Sequence, residues 1–111
     1  MSRKKIVAGN WKMNKTLSEA IELVSAIMKN PGDNSVTKIV FPPFPIISAV
    51  TSFIGASGSF ATGAQNCSEH ASGAFTGEVS AAMLKSVGCK YVLVGHSERR
   101  EYFKETDQQL I

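Results

Sequence analysis

The sequence predicts an α/β protein in which strand, loop and helix follow one another repeatedly around a parallel sheet. Three observations carry this. Short apolar runs rich in β-branched residues recur near residues 5–9, 38–41, 60–64 and 91–94. An apolar stripe at three- and four-residue spacing follows each of the first three, as a helix packed on a sheet requires. Polar residues crowd the stretches just after the strands, most densely at Gly95-His96-Ser97-Glu98-Arg99-Arg100, and parallel sheets place their chemistry at the carboxyl ends of strands.

Taken in order, residues 5–9 read as a short buried strand, and Asn10-Trp11-Lys12-Met13-Asn14 as the loop at its end. Thr16 and Glu19 stand at capping-box spacing. Behind them Leu17, Ala20, Ile21, Val24, Ile27 and Met28 form one apolar helical stripe, which Asn30-Pro31-Gly32-Asp33-Asn34 stops. Lys38-Ile39-Val40-Phe41 is the second strand, and Pro42-Pro43-Phe44-Pro45 a stiff loop that continues neither a ladder nor a regular helix. Ile46, Ile47, Val50, Phe53 and Ile54 give the second helical face, ending near Gly55. Residues 57–62 lead into a third strand at 60–64, where small residues dilute the pattern. The connection 65–78 is long and aperiodic, and a loop of that length has a reason, usually binding or contact with another chain. A third helix is expected from Glu78, with Val79, Ala82, Met83 and Val87 inward and Gly88 as its cap. Tyr91-Val92-Leu93-Val94 then reads as a buried fourth strand, followed by a polar loop and a helix begun near Glu105, with Asp107 in its first turn.

A chain of 111 residues suits one small domain, whereas a closed eight-stranded barrel with outer helices takes roughly 250. A short parallel sheet of this size leaves free edges. Pattern alone leaves open whether the sheet belongs to a barrel or to an open doubly wound fold. The net charge of +3 is dispersed; the one basic run, Arg3-Lys4-Lys5, has no interleaved aromatics and reads as a solvated flank, so no nucleic-acid partner is expected. No apolar run reaches membrane-spanning length, and Met1-Ser2-Arg3-Lys4-Lys5 leads into a strand without a secretory segment. Cys67 and Cys89 have no CxxC spacing and are expected as free thiols of a reducing compartment. The glycosylation-type triplets at Asn14 and Asn66 are then accidental. Cys67 and His70 lack further ligands at zinc spacing, so no metal is expected, and the glycines form no nucleotide-binding fingerprint.

The chemistry-bearing residues are read as follows. His96 stands just past a strand, beside charged residues; near the start of a helix an imidazole favours its neutral form, which can donate a hydrogen bond to a developing enolate and relay a proton between adjacent oxygens. Lys12 by default faces solvent, but at the end of the first strand it could neutralise a phosphate or carbonyl oxygen near His96. Asn10 is either a turn residue or an amide that binds the same oxygen or fixes Lys12. Glu98 looks like a base, yet its basic neighbours and Lys12 favour an ion pair. Ser97 lacks an ordered Ser-His-Asp set and is no nucleophile. Arg99 and Arg100 read as scaffolding. Phe75, set between small residues, argues for an anchored loop tip.

The Gly95-His96-Ser97-Glu98-Arg99-Arg100 run closely resembles the fourth strand end of the triosephosphate isomerase family. Gly9-Asn10-Trp11-Lys12-Met13-Asn14, Gly63-Ala64-Gln65-Asn66 and Ser72-Gly73-Ala74-Phe75-Thr76-Gly77-Glu78 reinforce the match in the family's order and approximate spacing. The resemblance implies a TIM (β/α)8 barrel in the full-length protein, of which residues 1–111 are the N-terminal portion of the single domain: about four β/α units, the fourth helix incomplete. It implies interconversion of dihydroxyacetone phosphate and D-glyceraldehyde 3-phosphate through an enediolate, in glycolysis and gluconeogenesis, in the cytoplasm, with no cofactor. His96 is then the electrophile and proton shuttle, Lys12 the electrostatic stabiliser, and Asn10 and Lys12 bind substrate, with Ser97, Glu98 and Arg99 in support. Gln65, Phe75, Thr76 and Glu78 become contacts of a homodimer formed through the 73–78 loop, Thr76 steadying Asn10 and Lys12 of the partner subunit. The family's general-base glutamate and lid follow strand six and its phosphate-binding glycines follow strands seven and eight, so none of these falls within the chain. The competing expectation is a catalytically incomplete piece that acts only in assembly or phosphate-ligand binding.

Overall fold

The computed structural model describes residues 3–56 and 58–111; the readings that fall on Met1, Ser2 and Ser57 lie outside the described residues. Four parallel strands form one sheet in the order β1-β2-β3-β4: β1 is Ile6–Asn10, β2 Thr37–Phe41, β3 Phe60–Ala64 and β4 Tyr91–Val92. The helices are α1 (Leu17–Lys29), α2 (Ile47–Ile54), α3 (Ala81–Ser86), α4 (Ser97–Tyr102) and α5 (Asp107–Leu110), with a 3-10 turn at Phe44–Ile46 before α2. This is the alternating β/α plan read from the sequence, as an incomplete, curled parallel sheet of about four units. The register runs Ile6 opposite Thr37 and Lys38 opposite Phe60, then Gly63 opposite Tyr91.

Local chemistry sets the helix ends. The Glu19 carboxylate accepts from both the backbone N–H and the hydroxyl of Thr16, each at 3.0 Å, which fixes the entry of α1. Gly55, at φ +60, closes α2. Among the described residues the core lies in two clusters. Ala20 and Val24 of α1 and Val50 and Ile54 of α2 pack with Ile46 over Val40 and Phe60; Ile47, Ala64 and Leu84 join α2 and α3 to β3. A 2.7 Å hydroxyl pair, Thr51 with the buried Thr62, ties α2 to the sheet beneath it.

Several expectations are corrected. The first and fourth strands are not buried: Ile6 and Val7 of β1 are 53% and 62% exposed, and Tyr91 and Val92 of β4 are 38% and 42% exposed. They are the two edges, each with a strand on one side only, whereas β3 is buried throughout. β4 is also shorter than expected: it spans Tyr91–Val92, and its last bond to β3 runs from the Leu93 N–H to the Ala64 carbonyl at 2.8 Å. Phe53 and Leu17 face solvent despite their place in the apolar stripes. The third helix begins at Ala81, not Glu78: Gly77 turns the backbone at φ +90, and the Ser80 hydroxyl caps the helix by accepting the Met83 N–H. On this helix Leu84 is buried, while Ala82 and Met83 point outward. The polar stretch after the fourth strand is a helix, α4, and α5 starts behind Thr106, whose backbone N–H and hydroxyl are both bound by Gln109.

Gly63 marks the tightest point of the sheet. A Cβ there would run into the Phe41 ring and the Tyr91 carbonyl on the two neighbouring strands. Replacing Gly63 with Ala is expected to destabilise the chain by about 1–3 kcal/mol through overpacking, seen as a lower urea midpoint at unchanged slope. An unaltered midpoint would show that β2 and β4 give way freely.

Candidate active site

Because every strand runs the same way, the carboxyl ends of β1, β2 and β3 and the turn after β4 open on one rim. A cleft of about 540 Å³ lies there, lined among others by Asn10, Lys12, Gln65, His96, Glu98 and Phe103. A second hollow of about 440 Å³ sits elsewhere, between α3 and β4, and its walls include Cys67, Leu84, Cys89 and Val92. Of these two, the rim cleft is the one that gathers an amide, an ammonium, an imidazole and a carboxylate, which makes it the candidate place for polar chemistry.

The rim is built from the backbone outward. Just past β1, Lys12 adopts φ +58, a left-handed conformation that a lysine visits rarely. Three bonds hold this turn in place. Asn10 Oδ1 accepts the Lys12 N–H at 2.9 Å, Gln65 Nε2 donates to the Lys12 carbonyl at 2.8 Å, and the Trp11 N–H donates to the Phe41 carbonyl at 3.1 Å. Strain of this kind costs on the order of 1–3 kcal/mol and persists only where surroundings over-determine it. Gln65 Nε2 also donates to the Phe41 carbonyl at 2.7 Å, so one amide fastens the loops after β1, β2 and β3.

Lys12 Nζ reaches across the mouth of the sheet to Glu98 Oε2, 3.0 Å away. In a flat sheet the outer strands would stand about 14 Å apart, so a contact from the β1 loop to α4 reports curvature. The hydrogen bond from Lys12 holds the Glu98 carboxyl below its ordinary value; partial desolvation opposes this, and the Lys12 charge adds to it. A carboxylate stabilised as an anion is a poor proton acceptor near neutrality. Glu98 is therefore the lysine's counter-ion.

His96 precedes α4, and its Nδ1 accepts the Glu98 backbone N–H at 3.1 Å. A ring nitrogen that accepts an N–H carries no proton itself, so the imidazole hydrogen belongs on Nε2. The 3.6 Å approach of Glu98 Oε1 to Nδ1 is then no ion pair. Gly95 before it has φ +64, and a Cβ there would strike Leu110 and the Arg100 guanidinium. That guanidinium donates to the Gly95 carbonyl at 2.9 Å and also binds Asp107.

The structure brings Asn10, Lys12, Gln65, His96 and Glu98 together. Arg99 also lines the cleft, but its guanidinium is engaged by Glu105 at 2.9 Å and lies over the Phe103 ring. Ser97 opens α4 on the exposed side. Phe75, Thr76 and Glu78 lie on the exposed 65–78 connection and do not line this cleft; the Phe75 ring stacks on His70 with centroids 3.8 Å apart. Sequence reasoning missed the Arg99–Glu105 pair and the inward task of Gln65. The first joins two elements across a turn with no periodic signature. The second had a usable signal, an amide immediately after a strand whose neighbours all end in loops. Cys67 and Cys89 are free, burial pushing the Cys89 thiol up. Among the described residues, no three His, Cys, Asp or Glu side chains cluster as metal ligands would, and no helix is long and apolar enough to cross a membrane.

Residues 5–111 match the family described as triosephosphate isomerase. The chain is 53% identical over 111 residues to the triosephosphate isomerase of Cytophaga hutchinsonii, covering 97% of this chain and 43% of that protein. It is 54% identical over 107 residues to that of Prosthecochloris aestuarii, covering 95% and 42%, and 52% identical over 105 residues to that of Thiobacillus denitrificans, covering 95% and 41%. The chain thus spans less than half the length of these relatives.

Since the depressed Glu98 carboxyl rests first on Lys12, Lys12→Met should move its titration upward toward 4.5 in a carbon-detected NMR titration. The folded value lies below the unfolded one, so the pair's stabilising effect is present above the unfolded value and is lost as pH falls through the folded one. Exposure and salt screening keep that effect small. An unmoved Glu98 midpoint in the variant would remove Lys12 as the cause.

Proposed function

The chain belongs to the triosephosphate isomerase family, and from that premise we propose that it is the N-terminal portion of a single (β/α)8 barrel domain whose intact form interconverts dihydroxyacetone phosphate and D-glyceraldehyde 3-phosphate. The observation that carries the reading is the joined set on the rim: Lys12 tied to Glu98, and His96 with Nδ1 occupied. With Nδ1 engaged, Nε2–H is the group free to donate to a substrate oxygen. In the proposed reaction a base removes a proton from one carbon of the triose phosphate, negative charge collects on the adjacent oxygen, and an enediolate forms. His96 Nε2–H stabilises that oxygen and relays protons between the two oxygens; Lys12 and the Asn10 amide offset the developing charge. Glu98 steadies Lys12, and Ser97 and Arg99 support the α4 side of the site.

The carbon base is assigned to the part of the family fold beyond these residues, since Glu98 is held as an anion by Lys12. Orientation and exclusion of water supply much of an enzyme's effect, and the rim here stands open, with Lys12 half exposed. The 111-residue chain alone is therefore proposed to be inactive, and the glycolytic and gluconeogenic role, the cytoplasmic setting and a homodimer using Gln65, Phe75, Thr76 and Glu78 belong to the intact protein.

The test is a chimera in which residues 5–111 replace their counterparts in the Cytophaga hutchinsonii relative. Isomerisation of D-glyceraldehyde 3-phosphate is expected to persist, and His96→Gln within the chimera to lower kcat by about 100- to 10,000-fold. Full activity of that variant, or turnover by the 111-residue chain alone, would overturn the assignment. Gln65→Leu in the chimera should cost both kcat and KM, because it frees the Lys12 loop while leaving Lys12 itself in place.

A further inference from the structure

We propose that Arg100, held by Asp107, is a positioning residue for His96: its guanidinium and its main chain together fix the two peptide units that flank the histidine, and so aim Nε2. The proposal rests on the reading of His96 as the group that donates to the substrate oxygens and relays protons between them.

Arg100 grips His96 from both sides. Ahead of the histidine, Arg100 Nε donates to the Gly95 carbonyl at 2.9 Å, and that carbonyl shares one planar peptide unit with the His96 N–H. Behind it, the His96 carbonyl accepts the Arg99 N–H at 2.9 Å and the Arg100 N–H at 3.1 Å. His96 is the N-cap of α4, at φ −53 and ψ 143, so it stands only half inside the helix and its own φ and ψ are not set by helical geometry. Gly95 is shaped for the grip. It takes φ +64, and a Cβ there would strike Leu110 Cδ1 and come within 3.0 Å of Arg100 Nη2. The guanidinium and Leu110 thus fill the space that any other side chain at this position would need.

The second arm of the guanidinium is anchored as well. Arg100 Nη1 binds Asp107 Oδ1, and Asp107 follows Thr106, whose hydroxyl accepts the Gln109 N–H at 3.3 Å and caps α5. A guanidinium is planar and its N–H directions are fixed, whereas an ammonium is a point charge without a fork. With one arm on Asp107, the other meets the Gly95 carbonyl in a set direction. The two arginines of α4 divide the work, Arg99 turning to Glu105 and Arg100 to Gly95. What this secures is aim. Once both flanking peptides are pinned, the imidazole keeps only its side-chain torsions, and the Glu98 N–H on Nδ1 restrains those. Nε2 lies at the far end of the ring, where a small rotation of the Gly95–His96 peptide becomes a large displacement. Hydrogen bonds weaken steeply when bent, and a misplacement of about 1 Å can cost on the order of 100-fold in rate. The same rotation would part Nδ1 from the Glu98 N–H and release the tautomer. Arg100 thus does for His96 what Gln65 does for Lys12.

The test uses the chimera that carries residues 5–111 in the Cytophaga hutchinsonii relative. Arg100→Lys keeps the charge and loses the fork; kcat is expected to fall about 10- to 100-fold with KM changed by no more than about twofold. In NMR of 15N-histidine-labelled protein, the His96 signals should move from a single tautomer, Nδ1 bare and Nε2 protonated, toward a mixture. Asp107→Asn should do the same in smaller measure, and the double variant should cost no more than Arg100→Lys alone, as for groups acting as one unit. Should Arg100→Lys fail to fold, Asp107→Asn carries the same readouts. Lys104→Met controls for a simple loss of stability. It removes the Lys104 bond to the Glu101 carbonyl at the other end of α4, and should lower the urea midpoint while leaving kcat and the His96 signals unchanged. Unaltered kcat and tautomer in Arg100→Lys, or an equal loss of both in Lys104→Met, overturns the proposal. His96→Gln separates the two levels. Full activity there defeats the reading of His96 itself, whereas a crippled His96→Gln beside an unaffected Arg100→Lys defeats the positioning role alone.

Discussion

The parallel direction of the strands is the constraint on which the rest of this structure depends. Two neighbouring parallel strands cannot be joined by a tight turn, so the chain must return along a helix each time. That requirement produces the helical layer and its core over β2 and β3. It also sends every loop that leaves a strand end to the same rim. Asn10, Gln65 and His96 stand far apart in sequence and meet for no other reason. Once they meet, curvature does the rest, bringing Lys12 from the first loop to Glu98 in the last helix.

Within the rim, organisation runs from backbone to charge. Gln65 spends its amide on two carbonyls of neighbouring loops, Lys12 O and Phe41 O. Those bonds, with the Asn10 side chain, keep Lys12 at a positive φ that an unsupported lysine would leave. Only then does the ammonium project across the sheet to Glu98. The carboxylate in turn belongs to the residue whose N–H occupies His96 Nδ1. One residue, Glu98, thus sets the charge environment of the lysine through its side chain and the tautomer of the histidine through its backbone.

Much of this was legible in the sequence, and the parts that were not share a physical cause. Periodicity placed the strands within a residue or two and found the first two helices, because β-branched runs and apolar stripes are local signals. The cluster after Gly95 announced the rim for the same reason. Burial was another matter. Val7 and Val92 look like core residues in sequence, yet whether a strand is central or an edge depends on what lies beside it, which no local pattern states. Met83 was expected inward, yet Ser80, Leu84 and Val87, at four- and three-residue spacing, make the inward face, and a leucine beside a methionine gives no local sign of which one the sheet will cover. Gln65 was expected as a contact to another chain, and the task its nitrogen has within this chain was not foreseen. An amide's partners are backbone carbonyls from distant strands, and they leave no mark near it.

The two bare edges and the open rim are one fact viewed from the side and from the end. Central strands are buried because neighbours cover them; β1 and β4 are exposed because nothing here does. The same openness leaves Lys12 half in water, where an ion pair is screened and a developing oxyanion gains little. Covering the edges would therefore act on chemistry as well as on stability. Walls added beside β1 and β4 would lower the dielectric around Lys12, His96 and Glu98 without altering a bond among them. Asn10, Lys12 and His96 are already oriented by Gln65 and the α4 backbone; the proposed reaction asks of the rest of the family fold seclusion and a carbon base. Preorganised charge is thus encoded locally in this chain, whereas the dry environment that makes such charge effective is a property of closure.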